Sequence, residues 1–138
     1  MKLTILLVIL IYFSQLAQAG ELVVVVGANC PVSALNKEQV KSLFLGRAAT
    51  FPDNSQATPI EQIEGSEQRG AFHATVTDKS DSQLKAYWSK LIFSGKATPP
   101  REVANPAEVV KLLGTNPNMI GYVSKDQIDG SVKVVFSP

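Results

Sequence analysis

One cysteine, one histidine and one tryptophan in 138 residues exclude several kinds of chemistry. Cys30 has no second cysteine to bond, so no internal disulfide forms; lying just after an apolar run, its thiol is expected to be buried as a small hydrophobe. A Cys/His zinc site lacks ligands. No carboxylate cluster suits another metal, so no cofactor is expected. Nucleophilic catalysis would have to use His73, and its sequence neighbours supply no nucleophile or paired carboxylate. The chain therefore reads as a binding protein and not an enzyme. "GKAT" at Gly95 to Thr98 is not a phosphate loop: the glycine five residues earlier is missing, and a helix precedes it where a strand should.

A surplus of charge is also lacking. There are 13 basic and 12 acidic residues, and setting Lys2 aside with the N-terminus leaves 12 of each. A neutral chain does not have the basic excess that nucleic acid or an anionic membrane selects. Nor does any apolar run reach the roughly twenty residues needed to span a bilayer. The run from Leu3 to Phe13 follows Lys2, is broken by Ser14 and Gln15, and ends at Ala17-Gln18-Ala19. That is the pattern of a secretory signal peptide over residues 1–19. Cleavage after Ala19 leaves residues 20–138 as one periplasmic or secreted domain with no membrane span.

What is present is a regular alternation of strand and helix signals. "ELVVVV" at Glu21 to Val26 is β-branched without polar alternation, as in a strand buried on both faces. Asn36 opens a helix with Gln39 at the capping-box position, Val40, Leu43 and Phe44 inward, and Gly46 as the stop. Pro52-Asp53-Asn54 supplies turn chemistry. Thr58 to Ile63 reads as a strand, and Ser66 caps a helix to about Thr77. Ser80 caps another, with Gln83 in its capping box and Leu84, Trp88, Leu91 and Ile92 inward. "SGKATPPRE" reads as a loop because Pro99-Pro100 cannot continue a helix. Asn105-Pro106-Ala107-Glu108 starts a helix that turns Val109, Leu112 and Leu113 inward. "MIGYVS" and "SVKVVF" close the chain as strands. The order β-α-β-α-α-α-β-β implies an α/β fold, a small mixed sheet with flanking helices.

The segments from "VVVVGANCPVSALNKEQVKSLFLGRAATFPDNSQATPIEQIEGSEQRGAF" through "YWSKLIFSGKATPP" to "NMIGYVS" resemble the phosphate-type substrate-binding proteins of ABC transporters. More narrowly, they resemble short, single-lobe secreted phosphate-binding-like proteins. The resemblance covers nearly all of residues 20–138. It implies a single lobe of a type 2 periplasmic-binding-protein-like fold, where full-length members hold the ligand between two lobes. In that family the oxyanion loop carries an arginine and then Ser-Gly-Thr at a helix N-terminus, because a dianion needs several donors and a guanidinium. Here Gly65 and Ser66 keep the serine position. Glu67 and Gln68 stand where Gly-Thr would be, and Gln62 stands in the arginine's place.

Gly65, Ser66, Glu67, Gln68 and Arg69 are therefore the candidate ligand-binding residues. Arg69 lies in the first helical turn, and His73 is one turn further on the same side. Gly70 within the helix suggests a close backbone approach. Each residue also has a structural reading. Ser66 serves as an N-cap, Glu67 suits the helix dipole, Arg69 pairs with Glu61 or Glu64 at an exposed site, and His73 is a partly buried helix residue. Glu61, Glu64 and Glu67 all set negative charge against an anion. The expected partner is phosphate or another small oxyanion. The alternatives are a protein of an envelope assembly, with ligand binding lost, or self-association that rebuilds a two-sided cleft.

Overall fold

The computed structural model describes residues 20–138. The expected signal peptide, residues 1–19, lies outside the described residues. The elements are β1 (Leu22–Gly27), α1 (Lys37–Phe44), β2 (Thr58–Gln62), α2 (Glu67–Thr75) and α3 (Asp81–Phe93). They continue with β3 (Arg101–Val103), α4 (Pro106–Thr115), β4 (Met119–Ser124), a 3-10 turn at Lys125–Gln127 and β5 (Val132–Phe136).

The valine run behaves as its pattern requires. Val23 to Val26 are each at most 1% exposed, because β1 lies inside a five-stranded sheet of order β3-β2-β4-β1-β5. β2 pairs parallel with both β3 and β4, while β1 pairs antiparallel with β4 and β5. Alternate valines face opposite layers. Val24 and Val26 join Val40, Phe44, Phe72 and Tyr122 under α1 and α2. Val23 and Val25 join Ile60, Val103, Val109 and Leu113 under α4. Cys30 is 2% exposed in the first of these layers, as expected of a small hydrophobe.

Local signals set most boundaries. The capping boxes Asn36/Gln39 and Ser80/Gln83 both form, and Asn105 caps α4 with Pro106 at its start. Gly46 takes φ +70° after α1, and Trp88 of α3 packs close against it, with a ring carbon 3.0 Å from where a Cβ would stand. In the turn after α1, Asp53 accepts the Ser55 N–H and hydroxyl, which hold its carboxyl below the usual range.

Four expectations are corrected. The loop ending in "PPRE" gives way at Arg101 to β3, a strand on the sheet edge with only Val103 buried. Three residues with two exposed charges carry no strand periodicity, yet this is how edge strands are kept from pairing further. α2 ends at Thr75, with Val76 as its C-cap. Ile92 is 52% exposed and not inward, because α3 leans on the turn after α1 through Trp88 and leaves the sheet layer beyond it. On α4, Val110 is buried and Leu112 only partly.

Gly121 of β4 shows how tightly α4 sits on the sheet. A Cβ there would stand 2.8 Å from Val109 and 3.3 Å from Ile60. Gly121→Ala is expected to lower stability by about 1–3 kcal/mol through overpacking, read as a lower urea midpoint at unchanged slope.

Candidate functional site

In open α/β sheets the carboxyl edge of the parallel strands is where connections leave the sheet and where crevices form. Here the connection after β2 turns to the α2 face and that after β3 to the α4 face, so the two paired strands part company at this edge of the sheet. The start of α2 borders it. Gly65 turns the chain at φ +89°, and Ser66 caps α2, accepting from the Arg69 N–H at 3.4 Å. The helix places its dipole and first-turn amides at this rim, where a helix start leaves donors without intrahelical acceptors.

The side chains at the rim are bonded to one another. Gln62, the last residue of β2, is 2% exposed. Its amide nitrogen donates to the Tyr122 carbonyl at 3.0 Å and to Gln68 Oε1 at 2.7 Å. Its oxygen accepts the Ser66 hydroxyl at 2.8 Å. Gln68 donates in turn to Gln127 Oε1 at 2.9 Å, joining α2 to the 3-10 turn after β4. A chain of three glutamine amides thus runs from β2 across β4's end. Glu64 and Glu67 are exposed beside it.

Arg69 points away from the rim, over Glu61 and Glu102 of β2 and β3. Its Nη1 donates to the Gln62 carbonyl at 2.9 Å and to Glu102 Oε1 at 2.8 Å, and its Nε lies 3.8 Å from Glu61 Oε2. The parallel register sets Glu61 directly beside Glu102 on neighbouring strands. Like charges in that relation repel, and Arg69 is the cation between them. Burial alone would lower the Arg69 pKa, but Glu61 and Glu102 outweigh it and raise it. The expected exposed pair is therefore corrected: Glu61 is 3% exposed, Glu64 is not a partner, and Glu102 is the partner that sequence reasoning missed.

His73 is also not a rim residue. At 1% exposed it is fully buried, with Nε2 at 2.7 Å from Glu61 Oε2 and Nδ1 at 2.8 Å from the Thr77 hydroxyl. A carboxylate partner fixes a proton on Nε2. Glu61 Oε1 and Arg69 Nε have no hydrogen-bond partner among the described residues. Phe72, between Arg69 and His73 in α2's inward face, stacks on Tyr122 at 4.2 Å and 7°. The Tyr122 hydroxyl accepts from the Gln62 N–H at 3.2 Å, and burial together with the Glu61 charge pushes its pKa far up. Gly70 has nothing within 4 Å of a would-be Cβ, so the close approach expected there is absent. Among the described residues no group of three or more His, Cys, Asp or Glu is placed to hold a metal, and no helix is long and apolar enough to cross a membrane.

Two outcomes test this reading of the cluster. Arg69→Met strands the buried Glu61 charge and is expected to cost about 3–5 kcal/mol in denaturant unfolding. Glu102→Gln, at a half-exposed partner, is expected to cost about 1 kcal/mol or less. Because Tyr122 is held neutral in the folded chain, its contribution to stability is intact below the ordinary tyrosine value of about 10 and lost as pH rises past it. Tyrosine absorbance is expected to show Tyr122 ionising only with unfolding.

No family model matches the sequence, and no curated protein matches it. Solved structures match in fold. An ABC-type phosphate transport receptor from Vibrio cholerae aligns over 84% of this chain and 45% of its own, at 18% identity and a TM-score of 0.67. A putative phosphate ABC transporter substrate-binding protein from Clostridium perfringens, with bound phosphate, aligns over 84% of this chain and 44% of its own, at 21% identity and TM-score 0.68. PstS from Borrelia burgdorferi aligns over 84% and 46%, at 12% identity and TM-score 0.62. The chain spans less than half the length of each. Its described residues have the α/β fold of a single periplasmic-binding-protein-like lobe, in agreement with the resemblance read from the sequence.

Proposed function

We propose that the protein is an extracytoplasmic binding lobe of the solute-binding type. It works by reversible binding without catalysis, and its ligand is a small oxyanion of the phosphate class. The observation that carries this is the position of the α2 start, a capped helix N-terminus at the carboxyl end of β2, where the connections after β2 and β3 leave for opposite faces of the sheet. Helix starts of this kind receive anions through main-chain N–H groups and the dipole. A fold similar to that of a protein solved with bound phosphate supports the oxyanion class of ligand. In this reading the turn at Gly65 opens the approach, the first-turn amides at Glu67 and Gln68 donate, and Ser66 exchanges Gln62 for the ligand. Arg69 adds its charge from behind, engaged with Glu102.

That geometry predicts weak binding. The guanidinium is already neutralised by two carboxylates, and Glu64 and Glu67 stand beside the seat. Isothermal calorimetry on residues 20–138 with inorganic phosphate and sulfate is expected to give dissociation constants on the order of 1 mM. Ser66→Ala is expected to abolish the heat while the melting temperature falls only by the loss of a cap, about 1 kcal/mol. No heat and no thermal shift at millimolar anion rejects the reading.

One observation favours a second reading, an interaction module of an envelope assembly. Ser66, Gln62, Gln68 and Gln127 already satisfy one another, so the side chains at the rim are complete without a ligand. Under this reading phosphate gives no heat, and Ser66→Ala leaves function unchanged.

A further inference from the structure

α3 has thirteen residues and buries only Leu84 and Trp88. Its last turn ends in two exposed apolar side chains: Phe93 is 96% exposed and Ile92 52%. Ser94 caps the helix, and Gly95, at φ +69°, turns the chain sharply away, so Phe93 stands at a corner of the molecule. Helical spacing puts Lys90 one turn behind Phe93, and Lys96 follows the turn; both lysines are exposed. On the other side of the helix, Ile92 borders a groove that holds Glu64, Asp81 and Glu102 together with Arg69 and Lys85. The apolar pair thus has cations on one flank and a groove of both signs on the other.

We propose that this last turn of α3 is a protein-docking surface. Phe93 is the inserted anchor, and the partner offers an apolar pocket with carboxylates facing Lys90 and Lys96. Burying a phenylalanine side chain stabilises a complex by roughly 1.5–3 kcal/mol of transfer free energy in general, whereas here it stabilises nothing within the chain. The mixed flanks select the class of partner. An anionic lipid surface has one sign of charge and would match the lysines alone, while a protein surface can match the lysines and a neighbouring groove of both signs. The proposal is independent of whether an oxyanion binds at α2.

The test places a benzoylphenylalanine photocrosslinker at position 93 in the full chain, expressed in its own cells. The expected result is a discrete protein adduct that Lys90→Glu with Lys96→Glu reduces about tenfold and that high salt weakens. Phe93→Ser is expected to leave the melting temperature unchanged, which separates docking from a structural role. Four results overturn the proposal. They are no protein adduct, an adduct indifferent to lysine reversal, an adduct only with a second copy of this chain, and Phe93-dependent sedimentation with phosphatidylglycerol vesicles. A lowered melting temperature for Phe93→Ser overturns it as well.

Discussion

The contact on which the site side of the molecule depends is one guanidinium between two carboxylates. Glu61 and Glu102 are brought together by the parallel register of β2 and β3, and neither strand can shift by one residue without turning its carboxylate to the opposite face. Arg69 resolves the repulsion and, in the same act, ties α2 to both strands and to the Gln62 carbonyl. His73 holds Glu61 from the other side. Buried ion clusters are poor sources of net stability, since desolvation offsets most of the attraction. What this one supplies is placement: it fixes where β3 joins the sheet and where the helix start faces.

That placement has a consequence for binding. In the family resemblance the arginine precedes the serine and faces the ligand. Here an amide, Gln62, holds that position, and the cation sits one helical turn later with its charge already spent on strand pairing. The rim is left with dipoles: a helix start, three linked glutamine amides and a serine hydroxyl. Dipoles discriminate poorly between a monoanion and a neutral acceptor, whereas a free guanidinium favours a dianion. The same amides that weaken an anion seat bridge α2 to the end of β4, so the rim keeps its shape without a ligand.

Much of the fold was legible from residues because the responsible forces are local. Asn36, Ser66, Ser80 and Asn105 each cap within three residues, and the valine run of β1 declares two-sided burial by having no polar alternation. Other features depend on contacts distant in the chain. β3 is a strand only because β2 lies beside it. Glu102 becomes Arg69's partner across a separation of 33 residues. His73 could be placed on α2 but not under it, since its burial follows from Phe72 stacking on Tyr122. At the candidate site the helix start was readable; the internal bonding of its side chains was not. A polar cluster such as Glu61, Arg69, His73 and Thr77, spaced along a strand, the next helix and the turn that ends it, was the one signal that could have suggested a buried network.

The sheet order carries one more implication. Among the described residues β1 is hydrogen-bonded only to β4 and β5, so it must wait for both before any ladder can form around it. Contacts that close nearly the full length of a chain make folding slow and late. During synthesis, "LVVVV" therefore remains an unpaired apolar segment, unable to lock into its native sheet until both of those strands have been made.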